Sequence, residues 1–243
     1  ARAGTVASRY PAAIAISLAL VSSISAWVYS GVRSALVDLA AANLNSQAAS
    51  EALAVQTWIG EKQINVMRWA RDGRVIEAAE QLLAAAREGP ERLRAACAGV
   101  PGASLVHAID LLRLEDTAAA IHLIDRDGRL LAARDPFKCA RQIDPEHWQA
   151  FVSALQGQVR FTATLDEADR IGVGRAGEGP KVWIAAPVRN GAGEVIAVLD
   201  IGKPANERFV QLFAAAGVGA GGESFAFDRR GVLLTESRYR DAL

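Results

Sequence analysis

The sequence has little cysteine, little histidine and almost no lysine, and it carries no excess of charge. Cys97 and Cys139 are the only cysteines, and neither stands in a Cys-x-x-Cys pair. That removes the zinc-ribbon and dithiol motifs that need this spacing. The two are either free thiols or one disulfide joining two loops, and the disulfide requires a compartment outside the cytosol. The three histidines, His107, His122 and His147, share no metal-ligand spacing. Only four of the 27 basic residues are lysines, and 27 acidic residues bring the net charge to zero. Nothing global therefore draws the chain to nucleic acid. No Gly-x-Ser-x-Gly, His-Glu-x-x-His or Gly-x-x-x-x-Gly-Lys-Ser/Thr run occurs, which excludes the nucleophile elbow, the zincin helix and the P-loop. No catalytic constellation and no cofactor motif emerges.

Several strings match a motif without its context. Gly172-x-Gly174-x-x-Gly177 and Gly217-x-Gly219-x-x-Gly222 fit a dinucleotide fingerprint, but each leads into a strand where the fingerprint needs a helix. Both read as loops. Asp125-Arg126-Asp127-Gly128 resembles part of a calcium loop but lacks its twelve-residue spacing and closing Glu, so it reads as a turn. Asp144, Glu146 and His147 could surround a metal. Acids at the positive end of a helix dipole explain them more simply.

Charge is absent from one stretch. Residues 10–32 form a 23-residue run without a charged side chain, long enough for one helical crossing of a bilayer core about 30 Å thick. Trp27 and Tyr29 lie near its end, where interfacial aromatics belong. Ser23-Ile24-Ser25 resembles a signal-peptidase site, but the apolar run continues past it, which favours an uncleaved anchor. Arg2 and Arg9 precede the run, and Arg33 is set against Asp38 and Glu51 after it. The positive-inside rule then puts residues 1–9 in the cytoplasm and the rest outside the cell inner membrane.

At 243 residues the chain holds one or two domains. Residues 32–59 contain no Gly or Pro and read as a helix leaving the membrane, with Leu36, Leu39, Leu53 and Ile59 in a loose stripe. The helical pattern resumes after Gly60 through Ile64, Met67 and Trp69. A shorter helix runs from Val75 to Arg87 and stops at Gly89-Pro90. Glu91 to Cys97 makes another short helix, residues 98–102 a loop, and Ser104 caps a helix from Leu105 to Leu114.

The second half turns to strands. Two apolar runs flank the turn Asp127-Gly128 in residues 121–132, a strong hairpin signal because Gly takes positive φ without a Cβ clash. Asp144-Pro145-Glu146 opens a helix carrying Trp148, Phe151, Val152 and Leu155 and ending at Gly157. Strands follow at 159–165, 182–189 and 195–201, the last two joined by the turn 190–193. A helix spans 206–216. The sum is an α+β layer fold: a five-stranded antiparallel sheet with long helices packed on one face. The hairpin pattern returns 103 residues later, aligning Asp125 with Asp228 and Gly128 with Gly231. The second copy is too short to finish a domain, so the chain reads as a fragment of a longer protein.

This order resembles the double Cache family of extracytoplasmic sensor domains. The likeness rests on the anchor and long helix, the hairpin Leu123-Ile124-Asp125-Arg126-Asp127-Gly128-Arg129-Leu130-Leu131, and the helix end Ala154-Leu155-Gln156-Gly157. It rests equally on the strand end Ala185-Ala186-Pro187-Val188-Arg189, the run 193–201 and the run 222–228. It spans residues 10–243 and implies a PAS-like membrane-distal module over 33–213, with its long helix. A truncated membrane-proximal module then starts at 214–243. A second span and an output domain would follow, so the rival reading is the sensor part of a membrane kinase or cyclase. A third is a ligand-free dimerisation stalk.

In amino-acid-binding members an Arg-x-Trp-Tyr run precedes the Ala-Leu-x-Gly helix end, and an Asp follows on the last strand. Those positions here are Trp148, Ala150, Phe151 and Asp200, so the aromatic and the acid remain and the Arg does not. With Trp183 on the neighbouring strand, Trp148, Phe151 and Asp200 are expected to form an apolar cup with one acceptor. Such a cup suits an amine. Trp148 and Phe151 are otherwise just the apolar face of a helix. The expected partners are this ligand, membrane lipid and a second copy in a homodimer, with no cofactor, no metal and no nucleic acid.

The topology can be tested with Gly4→Cys and Ser46→Cys in intact cells. An impermeant maleimide is expected to label position 46 and not position 4. Labelling at 4 alone reverses the orientation.

Overall fold

The computed structural model describes residues 9–112, 120–143, 147–164, 181–204 and 227. The chain divides into two compact units, residues 1–50 and 51–243. Helix α1, Arg9–Ala70, contributes to both. In the first unit its apolar side chains stand exposed, among them Leu18, Val21, Ile24 and Trp27. By length and composition it can cross a membrane, with an 18-residue window of mean hydropathy 1.8 that is 0% buried. An uncovered apolar surface of this kind suits lipid rather than water. Ser23 Oγ donates to the carbonyl of Ala19 at 2.8 Å, so its hydroxyl is satisfied within the helix.

The second unit is built on the expected five-stranded sheet. Its strands are β1 (Ala120–Ile124), β2 (Leu130–Ala133), β3 (Arg160–Thr164), β4 (Lys181–Arg189) and β5 (Val195–Pro204). They run antiparallel in the order β2-β1-β5-β4-β3. Every residue from Ala197 to Lys203 is buried, because β5 lies between two neighbours and both sheet faces are covered. Ile121, Leu123, Ile184, Leu199 and Ile201 face the helices α1 to α4. Ile124, Ala185 and Val198 face the opposite way, onto Phe151 and Ala154 of α5 (Trp148–Leu155). Alternation at period two assigns the two sets to opposite sides.

The helix-side layer holds the end of α1, with Val66 and Trp69 buried, followed by α2 (Gly73–Glu88), α3 (Pro90–Ala98) and α4 (Val100–Leu112). Gly60 does not interrupt α1, since one glycine costs a helix only about 1 kcal/mol. Asp72 caps α2 by accepting from the Arg74 amide at 3.0 Å. The Arg74 guanidinium also bonds this carboxylate and holds it below its ordinary value.

The start of α4 departs from expectation. Residues 98–102 do not form a loop ending at a Ser104 cap; the helix begins at Val100. Pro101 fits there because first-turn amides have no intrahelical acceptor. At Gly102 a Cβ would collide with the backbone carbonyl of Cys97, so the α3–α4 corner closes only without a side chain.

Cys97 and Cys139 are joined as a disulfide, with Cα atoms 6.5 Å apart and a sequence separation of 42. Such a closure is worth about 4 kcal/mol on the chain-entropy estimate. The turn is confirmed at Asp125, whose Oδ1 accepts from the amides of Asp127 and Arg129 at 2.9 and 2.8 Å, with Gly128 at φ 81°. The helix expected at 206–216, the helix start at 144–146, both glycine-rich loops and nearly all of the second hairpin lie outside the described residues.

Two glycines give opposite predictions in urea denaturation of the intact chain in detergent. Gly102→Ala is expected to destabilise by about 1–3 kcal/mol through overpacking. Gly60→Ala, with nothing within 4 Å of its new Cβ, should stabilise by about 0.8–1 kcal/mol. Equal effects would contradict the α3–α4 corner.

Candidate functional site

The site lies on the α5 face of the sheet. Strand register places His122 of β1 opposite Asp200 of β5, and Asp200 opposite Ala185 of β4. Residues paired in this way point to the same side. One step along the same face, Trp183 pairs with Gly202. A Cβ at residue 202 would come within 2.8 Å of the Trp183 indole, so the glycine lets the ring lie flat across β5. The indole stacks on His122, with centroids 5.0 Å apart and planes at 23°. It meets His147 edge-on at 4.5 Å.

His147 stands immediately before α5 and reaches back to the sheet. Its Nδ1 is 3.1 Å from Asp200 Oδ2. Asp200 is only 2% exposed, so the imidazole is the polar group that makes a carboxylate in this strand tolerable. The other carboxylate oxygen, Oδ1, and the Trp183 Nε1 are buried without a hydrogen-bond partner among the described residues. Buried polar atoms in that condition cost about 1–3 kcal/mol each.

Beside this cluster is a cavity of about 120 Å³ lined by His122, His147, Leu130, Ile143, Lys138, Arg141 and Gln142. A lysine, an arginine and two imidazoles contribute to the wall, and among the described residues no carboxylate does. Its size is below the 300 Å³ usual for drug-sized ligands, so it fits a molecule of a few heavy atoms. A shallow groove of about 500 Å³ also runs over α2, α3 and α4. Alanines and the exposed Glu88–Arg92 ion pair, 3.2 Å apart, form much of it.

The four residues expected to share one cup are divided. Trp183 and Asp200 belong to the cluster. Phe151 is 2% exposed and packs in the core between α5 and the sheet. Trp148 is 49% exposed, with its ring 5.3 Å from Phe151 and over Gly128 of the hairpin turn. Neither lines the cavity. Their rings meet, as three-residue helical spacing implies, and the Trp148 ring stands over the hairpin turn.

Sequence reasoning passed over His122, His147, Lys138 and Arg141. The three histidines share no metal-ligand spacing, and His147 with Asp144 and Glu146 reads more simply as a polar helix start. The available signal was parity: His122 is in step with Ile124 on the α5 face of β1. Among the described residues no group of three or more His, Cys, Asp or Glu side chains can hold a metal ion.

No family model matches the chain, and no curated protein matches it. Among solved structures it is similar to the sensor domain of the V. cholerae histidine kinase DctB, with 18% identity over 62% of this chain and 57% of that one, at a TM-score of 0.38. It is similar to the ligand-binding domain of the Pseudomonas aeruginosa amino acid chemoreceptor PctB, solved with L-Arg, with 18% identity over 82% and 66% and a TM-score of 0.45. It is also similar to the ligand-binding domain of the Pseudomonas fluorescens chemoreceptor CtaA, solved with L-valine, with 17% identity over 78% and 70% and a TM-score of 0.42. The chain thus spans less than two thirds of the DctB and PctB domains. At these TM-scores the matches assign no ligand and no activity to it.

Proposed function

We propose that the chain is the extracytoplasmic input region of a membrane-bound signalling receptor, and that its cavity takes a small carboxylate-bearing molecule. The observation that carries this reading is the cavity wall. Lys138 and Arg141 stand at it with His122 and His147; no carboxylate lines it among the described residues, and Asp200, beside it, is engaged by His147. A guanidinium fork matches a carboxylate in two parallel bonds, and an ammonium beside it adds charge. The amine expected from sequence is less well served. None of its three aromatic walls lines the cavity, and the cations on the cavity wall would repel it.

On this reading residues 1–9 are cytoplasmic and 10–32 are the anchor. Residues 33–213 are the stalk and the sensing module, and 214–243 open a second module. The exposed apolar side chains of α1 support contact with lipid and, beyond it, with a second copy. A ligand that favoured one of two packings of the sheet against α1 would transmit by a small shift of that helix. These residues are assigned sensing and not catalysis.

Calorimetry on the intact chain in detergent, with acetate, lactate, succinate, ethanolamine and putrescine, tests the reading. At least one acid is expected to bind and neither amine to compete with it. Arg141→Ala should weaken that acid about tenfold or more, the worth of a charge-assisted hydrogen bond. Asp200→Ala should also weaken it, by removing the carboxylate that the His147 Nδ1 contacts at 3.1 Å. Preferential amine binding would contradict the proposed ligand class.

A further inference from the structure

The strap 134–143 leaves β2 at the edge of the sheet and supplies Lys138, Arg141, Gln142 and Ile143 to the cavity. Its path is fixed from two sides. Towards the sheet, the Ala140 amide donates to the Leu130 carbonyl and the Leu130 amide to that of Arg141, both at 2.8 Å. The Ile143 amide donates to the Gly128 carbonyl at 2.9 Å. Towards the helices, Arg134 Nη2 donates to Asp110 Oδ1 of α4 at 2.7 Å, and Cys139 is bonded to Cys97 at the end of α3.

The strap therefore spans the sheet edge. Cys97 and Cys139 are buried in the helix-side core, while Lys138 and Arg141, on either side of Cys139, reach the cavity on the opposite face. Between Cys139 and Arg141 lies Ala140 at φ 63°, the one non-glycine residue in the left-handed region among those described. Alanine visits that conformation rarely, and it persists where the flanking chain is held in place.

We infer that the Cys97–Cys139 bond is a positioning element of the ligand site. It anchors the strap from the helix side, so that Lys138 and Arg141 stand at the cavity, and affinity for the ligand depends on the bond being intact. The ligand part of this inference rests on the carboxylate reading; the anchoring part does not.

The test compares the intact chain with Cys97→Ala/Cys139→Ala and with Leu82→Ala. Leu82→Ala removes buried volume from α2 in the same core without cutting the tether. Hydrogen exchange at the Ala140 and Ile143 amides is expected to quicken at least tenfold in the double variant, with the β4–β5 ladder still protected. Affinity for the best-binding acid among acetate, lactate and succinate should fall at least tenfold in the double variant and stay within twofold in Leu82→Ala. If the double variant does not fold, a Gly-Ser insertion between Cys139 and Ala140 keeps the bond and loosens the strap, and the same loss of affinity is expected. Unchanged exchange and affinity in the folded double variant, or unchanged affinity in the insertion variant, overturn the inference. If the unaltered chain binds none of the acids, the carboxylate reading fails, and exchange alone decides whether the bond holds the strap.

Discussion

A carboxylate in the middle of a doubly covered strand has to be compensated, and the compensation of Asp200 organises this domain. Its partner comes from outside the sheet: His147, at the entrance to α5, closes to 3.1 Å. That contact fixes how α5 enters the face. Phe151 and Ala154 then follow onto Ile124, Ala185 and Val198. The same imidazole forms part of the cavity wall and the edge of the Trp183 ring contact. One buried acid thus ties together the central strand, the covering helix and the polar site. Removing it would take from His147 its contact with the central strand rather than simply deleting a charge.

The two faces of the sheet do different work. The helix side is a large apolar layer that includes the end of α1, the helix that also carries the exposed apolar segment. The α5 side is a smaller core with the polar cluster beside it. A sheet only one residue thick separates them, and the strap after β2 passes round its edge. Any change in how the cavity is filled therefore meets the helical layer through packed side chains and backbone hydrogen bonds, without a long path.

Much of the fold was legible because its signals are local. Asp127-Gly128 marks a turn whose positive φ needs glycine, and the strand-forming runs on either side pair as that turn requires. The apolar run 10–32 and the Gly89-Pro90 break act within a few residues of themselves. The site was less legible because it is made by register. His122 and Asp200 are 78 residues apart in the chain, and only the β1–β5 ladder sets them opposite each other. Helical periodicity gives Trp148 and Phe151 a shared face but not where the helix end points, and the Trp148 ring stands over Gly128. The α4 start was missed because Pro101 and Gly102 read as loop residues, whereas one suits a first helical turn and the other a backbone contact.

The central claim is that the cavity between His147 and the strap is the ligand site. The chain contains only three histidines, and His107, exposed on α4, serves as an internal reference. The most direct measurement is the imidazole ¹⁵N–¹H spectrum of the intact chain during titration with the best-binding acid among acetate, lactate and succinate. Saturable shifts of His122 and His147, with His107 unmoved, are the predicted result. Saturable binding that leaves both rings unperturbed would contradict it, because the ligand would then sit elsewhere on the molecule.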